Sequence, residues 1–150
     1  MTETSESLLE HFRRVRSVLL TAIEGLGDQQ MIDLTLDGWS VKDNLAHVAF
    51  WDDLRADEVI RMSAGHDSVL RMTHRQDADL NAIAYDLRRH LSLSQVRWEL
   101  EHSRRRLEDA VSAAPPAALD PSRYGEAGLL STHDAQHAGY ITAWRQRMGY

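Results

Sequence analysis

Apolar residues in this chain recur at steps of three and four, and that period predicts helices throughout. Leu8, Phe12, Val15, Leu19 and Ile23 form the first stripe, the signature of a helix with one buried face. Ser7 and Glu10 have capping-box spacing, and Thr4 or Ser5 would serve equally as the cap. Gly25 and Gly27 supply a stop. A second helix opens at Trp39-Ser40-Val41-Lys42-Asp43, where Ser40 can accept first-turn amides and Asp43 suits the positive helix end. Leu45, Val48, Ala49 and Val59 line one side of it, with His47, Phe50, Trp51 and Leu54 beside them, and it ends between Met62 and Gly65.

Residues 66–76 are polar and read as a loop. A shorter helix is expected from about Asp77 to His90, with Leu80, Ile83, Ala84 and Leu87 as its apolar side. Val96, Leu100, Leu107 and Val111 then carry a long helix from Leu93 to Ala113, with Ser92 and Gln95 at its start and Pro115-Pro116 at its stop. The connection Pro115 to Leu129 is long for a bundle turn and is a candidate cover for a site, with Tyr124 a candidate contact. The last helix starts near Ser131, where Asp134 again gives cap spacing, and its stripe is His133, His137, Tyr140, Ile141, Trp144 and Met148. No strand pattern competes. The expected fold is an all-α four-helix bundle with a short extra helix before the third long one.

Length and composition bound the rest. A chain of 150 residues fits one domain, 1–150, with its own core, and 43% hydrophobic with 27% charged residues is ordinary for a globular protein. Cysteine is absent, which excludes disulfides, thiolate metal sites and a cysteine nucleophile. A net charge of −6 argues against a nucleic-acid partner. The basic runs Arg13, Arg14, Arg16 and Arg104, Arg105, Arg106 are interleaved with acids and read as solvated helix faces. No secretory signal and no apolar run of the roughly 20 residues a span needs is visible, so a cytoplasmic protein away from membranes is expected.

The candidate chemistry lies in three histidines. His133 and His137 stand four apart on a helix, so both imidazoles leave one face and could share a divalent ion. With eight histidines in the chain, that spacing alone says little. The pair heads an otherwise apolar stripe, however, and His47 lies on a line with Phe50, Trp51 and Leu54. Imidazoles facing a core need polar partners, and a shared metal supplies them. Two partly buried histidines bonded to backbone or water is the reading that stays open beside it. Trp51, Tyr140 and Trp144 share these stripes as candidate pocket residues or as plain core. Asp43, Asn44, Asp52 and Asp134 are candidates to orient the histidines, each more simply a solvated surface group. Trp39 is expected to pack at the helix entry, and His11, His66, His74, His90 and His102 on the surface.

The stretch Trp39-Ser40-Val41-Lys42-Asp43-Asn44-Leu45-Ala46-His47-Val48-Ala49-Phe50-Trp51 resembles the second-helix signature of the DinB/YfiT-like superfamily. Thr132-His133-Asp134-Ala135-Gln136-His137-Ala138-Gly139-Tyr140-Ile141 is similar to that family's final helix. Residues 77–111, with Asn81 and the Leu-Ser-Leu-Ser-Gln-Val run, resemble it too, so the likeness spans most of the chain in order. It implies a four-helix bundle holding one divalent ion, commonly zinc or nickel, on His47, His133 and His137, and frequent homodimers. It does not imply one activity. The group includes thiol S-transferases using bacillithiol, mycothiol or glutathione, a thiol-dependent maleylpyruvate isomerase, and proteins that protect against genotoxins. Its "damage-inducible" name describes a stress response in expression and carries no implication of DNA binding. The expectation is a metal-dependent enzyme joining a low-molecular-weight thiol to a small electrophilic molecule, or hydrolysing that molecule. A metal-independent binding or self-protection protein and a bundle without activity are the other classes.

Overall fold

The structure, a computed structural model, describes residues 4–70, 74–125 and 128–150. Helix α1 (Ser5–Ile23) begins at Thr4, whose Oγ1 accepts the Ser7 amide at 3.1 Å while Ser7 Oγ accepts the Thr4 amide at 3.2 Å. Of the three cap candidates, Thr4 is the one used. After Gly25 the chain makes a five-residue helix, α2 (Asp28–Ile32), which buries Met31 and which the apolar period did not reveal. Asp37 and Gly38 both take positive φ, 53° and 86°. That is the two-residue turn Asp-Gly favours, and across it Leu36 and Trp39 exchange both backbone hydrogen bonds at 3.0 Å.

Helix α3 (Val41–Ser63) follows with the predicted reciprocal cap: Ser40 Oγ accepts the Asp43 amide at 3.0 Å, and Asp43 Oδ2 accepts the Ser40 amide at 2.9 Å. Helix α4 (His74–Arg88) is the short extra helix, and α5 (Leu93–Ala113) starts on Ser92 as read from the sequence. Two 3₁₀ turns, Pro116–Leu119 and Pro121–Arg123, lead towards α6 (His133–Met148). The expected Ser131–Asp134 capping box does not form. Ser131 Oγ accepts the His133 amide at 3.1 Å instead, and Asp134 turns inward.

The long helices α1, α3, α5 and α6 make the bundle, with α3 packed on α5 and α1 on α6. Among the described residues there is no strand, and no helix is long and apolar enough to cross a membrane. Beside a small cluster of Trp51 and Leu70, two main apolar clusters fill the interior. Leu19, Met31, Leu45, Val96, Ile141 and Trp144 form one, and Leu8, Phe12, Val59, Leu107, Val111 and Leu129 the other. Each fully buried side chain of this kind contributes about 1.5–3 kcal/mol.

A charged layer separates the clusters in register. Arg16 lies between Phe12 and Leu19, Asp52 and Arg55 between Ala49 and Ala56, and Arg104 between Leu100 and Leu107. Arg16 reaches Asp134 at 2.6 Å and Asp52 at 2.7 Å, and Arg104 reaches the same two carboxylates at 2.9 and 3.0 Å. The guanidinia also donate to the carbonyls of Leu100 and Phe12. The two basic runs are therefore not simply solvated faces. Arg13, Arg14 and Arg105 are exposed, whereas Arg16 and Arg104 are core residues, paired because a buried charge must be.

Helix α4 packs on α3 through a narrow strip. Ala84 is buried and Leu80 partly so, but Ile83 and Leu87 are 57% and 69% exposed, contrary to the expected four-residue apolar side. The 115–129 connection covers the Leu8 and Phe12 cluster through Ala118, Leu119, Tyr124 and Leu129.

Candidate metal centre

His47 projects from the second turn of α3, and His133 and His137 from the first two turns of α6. Their Nε2 atoms converge: His133 Nε2 lies 3.0 Å from that of His47 and 3.1 Å from that of His137. Asn44, one turn before His47 and 2% exposed, fixes one of the rings. Its Nδ2 donates to the Ser40 carbonyl at 2.9 Å, which turns Oδ1 towards His137 Nδ1 at 2.6 Å. His137 must then carry its proton on Nδ1, leaving the Nε2 lone pair facing the other two histidines.

Burial holds all three rings neutral. It lowers His47 to about 3, with charge repulsion from His137 and Arg55 adding to it, and lowers His137 to about 4. His133 is pushed down strongly by the same desolvation and then by Arg55. Three lone pairs are thus available at neutral pH.

The donor set fits a divalent ion. Two nitrogens about 2.0–2.1 Å from a common ion, at angles between octahedral and tetrahedral, lie about 2.9–3.4 Å apart. Protons alone satisfy the group poorly. With the His137 lone pair fixed, the single Nε2 proton that His133 can carry must serve two neighbours at once, and otherwise two lone pairs meet at close range. His133 Nδ1 is buried with no hydrogen-bond partner, so nothing among the described residues selects its tautomer. One cation at the convergence of the three Nε2 atoms removes the conflict.

A cavity of about 420 Å³ opens onto the three imidazoles. Trp51 and Arg55 of α3 form one wall, and Asp77 and Asn81 of α4 another. The two walls are tied by Trp51 Nε1, which donates to Asn81 Oδ1 at 2.8 Å. Tyr140 stands at the α6 side, its hydroxyl accepting from Gln136 Nε2 at 2.9 Å. Trp39 packs at the entry of α3 as expected, stacked on Tyr85 and edge-on to His47.

Of the candidate pocket residues, Trp51 and Tyr140 line the cavity. Trp144 does not: it is fully buried in the apolar core, with Nε1 donating to Thr35 Oγ1 at 3.0 Å. The described residues of the 115–129 connection, Tyr124 included, do not line the cavity either. Tyr124 is buried at the second cluster, its hydroxyl bonded to the Ala118 carbonyl at 2.7 Å and pushed up to about 12 by burial. Helix α4 provides the covering wall instead. Asp43, Asn44, Asp52 and Asp134 are all buried rather than solvated, and of these only Asn44 bonds a histidine of the trio among the interactions described. His66, His90 and His102 are exposed as expected, whereas His11 is partly buried against the Ser131 carbonyl at 2.8 Å. The side chain of His74 lies outside the described residues. Arg55 was missed as a cavity residue; its place one and two turns along α3 from Trp51 and His47 was the available signal.

A bundle of this order, with a histidine on its second long helix and a His-x-x-x-His on its last, defines the DinB/YfiT-like four-helix class. Residues 12–144 match the mycothiol maleylpyruvate isomerase N-terminal domain family, and the chain belongs to it. Among solved structures, the chain is similar to an uncharacterised protein from Escherichia coli UTI89, with TM-score 0.80 and 16% identity over 99% of this chain and 96% of that one. It is also similar to a protein from Streptococcus pneumoniae, with TM-score 0.71 and 12% identity over 97% and 92% of the two chains. At these identities the likeness speaks for the fold alone. A comparison with curated protein sequences finds no match.

Proposed function

We propose that this protein binds one divalent ion, zinc or nickel, through His47, His133 and His137 and uses it to join a low-molecular-weight thiol to a small electrophilic molecule. The observation that carries the reading is the convergence of three neutral Nε2 atoms at 3.0 and 3.1 Å on the floor of an open cavity. The family's name, which pairs a thiol with an isomerase, supports the choice of thiol chemistry over simple hydrolysis. When bound, such an ion supplies a positive charge that favours thiolate over thiol and polarises a substrate oxygen. The residues do the rest. Asn44 keeps the His137 lone pair aimed at the metal position, and the Trp51–Asn81 bond keeps α4 closed against the cavity. Because the Tyr140 oxygen accepts from Gln136, its own proton is left to donate to a substrate oxygen.

The test is metal content with turnover. Protein reconstituted with zinc or nickel should hold about one ion per chain. It should consume activated electrophiles only when a thiol is added. Chelation and His137→Ala should each abolish that consumption. Turnover that survives both overturns the proposal and favours a metal-independent binding or self-protection role.

A further inference from the structure

The Asp37-Gly38 turn sets a second hollow beside the three histidines. Leu36 and Trp39 pair directly across it, so their side chains leave on one side of the ribbon. Together with Asp37, Asn44, His137 and Tyr140 they line a groove of about 300 Å³, at the small end of the range for ligand pockets. Its floor is buried and already bonded: Asn44 donates to the Ser40 carbonyl and accepts from His137 Nδ1. Its walls are aromatic and held in place. Trp39 stacks on Tyr85 with ring centres 5.0 Å apart and stands edge-on to His47 at 5.6 Å, while Tyr140 stands edge-on to His137 at 5.5 Å. The charged group at its rim, Asp37, is exposed and lies 4.0 Å from Arg147.

This groove and the larger cavity have His137 and Tyr140 in common, yet they differ in chemistry. Around the imidazoles the larger one presents Asp77, Asn81, Ser131, Thr132 and Gln136, groups that hold a hydrophilic molecule. The groove presents a leucine and two aromatic rings, which gain most from covering a flat apolar body. A reaction that joins two molecules needs two places that meet, and these two meet at His137 and Tyr140. We propose that the groove takes the flat, apolar body of the electrophilic co-substrate, an aryl group, while the thiol occupies the polar cavity. The inference rests on the proposed thiol-transfer reading for what is brought together; the affinity of the groove for an apolar ring stands apart from it.

Two matched electrophiles test this on zinc-reconstituted protein supplied with glutathione, N-acetylcysteine or 2-mercaptoethanol. 2-Chloroacetophenone and chloroacetone carry the same reacting carbon beside a phenyl or a methyl ketone. In either, the thiolate sulfur bonds to that carbon as chloride leaves with its electron pair, the thiol proton passing to buffer. With each rate divided by its uncatalysed rate, kcat/KM should favour the phenyl ketone roughly 10- to 100-fold, the scale of burying an aromatic ring. Trp39→Leu should remove most of that preference with zinc stoichiometry unchanged. Tyr140→Phe keeps the ring and should lower kcat for both ketones alike while keeping the preference. Tyr140→Leu, half-exposed on α6, should lose the preference and serves if the Trp39 variant does not fold. In parallel, unreactive acetophenone is titrated into the same protein and followed by amide nuclear magnetic resonance. The Leu36, Asp37 and Gly38 signals should shift, those of Asn81 and Thr132 should not, and excess thiol should not displace the ketone. Thiol-dependent consumption of both chloroketones with equal efficiency overturns the groove and leaves the thiol-transfer reading standing. Acetophenone that shifts the Asn81 and Thr132 signals, or none, also overturns it. Shifts confined to Leu36, Asp37 and Gly38 without thiol-dependent consumption of either chloroketone support the groove and sink the thiol-transfer reading instead.

Discussion

Replacing Asn44 with leucine tests whether the tautomer of His137 is set by the protein. The side chain fills similar space in α3 but offers no oxygen to His137 Nδ1 and no N–H to the Ser40 carbonyl, so two short buried hydrogen bonds, 2.6 and 2.9 Å, vanish together. The ring is then free to carry its proton on Nε2, where it blocks the metal position. Losing the partner that orients a ligating histidine lowers metal affinity about 10- to 100-fold, or about 1.4–2.7 kcal/mol. The folded state should also lose about 1–3 kcal/mol for each group left unpaired. Competition of zinc against a chromophoric chelator reads the first effect, and urea unfolding of metal-free protein reads the second. Asn44→Asp keeps an acceptor in place and should retain most of the zinc affinity. A leucine variant that folds and binds zinc within about threefold of wild type would show that packing, not this hydrogen bond, aims the ring.

Three further outcomes follow from the same geometry. Asp134→Asn leaves Arg16 and Arg104 short of a carboxylate in the core and should cost about 3–5 kcal/mol by urea unfolding, whereas Asp28→Asn, at an exposed pair of 3.7 Å with Arg97, should cost under about 1 kcal/mol; equal costs would refute the layer's role. Because burial lowers the folded pKa of His47 to about 3 and His137 to about 4, from a free value near 6.5, the unfolded chain binds more protons below that value. Metal-free protein should hold its full stability above pH 6.5 and lose it on acidification, each imidazole adding up to about 1.4 kcal/mol per pH unit; a flat urea midpoint between pH 7 and 5 would contradict this. Light scattering should report a homodimer, twice 17.1 kDa, with Leu20 and Trp98, 48% and 60% exposed, as the first positions at which to introduce a charge; a monomer at micromolar concentration removes the expectation.

The sequence was most readable where local chemistry acts alone. Ser40 and Asp43 cap α3 as their spacing required, and α5 runs from Leu93 to Ala113 as its period and prolines dictated. That His47 meets His133 across 86 residues was implied by the family resemblance and not by local spacing. What escaped was set by partners from other helices. Arg16 sits four residues after Phe12 and Arg104 four after Leu100, both on apolar stripes, yet arginine in a charged run reads as surface until Asp52 and Asp134 arrive from α3 and α6. Helix α2 is too short to show a period. Ile83 and Leu87 fit an apolar side, but α4 packs mainly on α3 and meets α5 through the Arg88–Glu99 ion pair at 3.8 Å, so half of that side is left outside. Trp144 and Tyr140 differ by four positions on α6, and only the neighbours of each turn decide which is core and which faces the cavity.

The mid-bundle layer of arginines and aspartates also acts as a ruler. Hydrophobic contacts are nearly indifferent to a slide of one helix along another, since leucine meets leucine again a turn later, about 5.4 Å on. Asp134 admits no such slip, because a one-turn shift of α6 would set its carboxylate, and the guanidinia of Arg16 and Arg104, against apolar side chains. His133 is the residue next to Asp134, and His47 lies five before Asp52 on α3. The height at which the imidazoles face one another is therefore set by charges that never touch them.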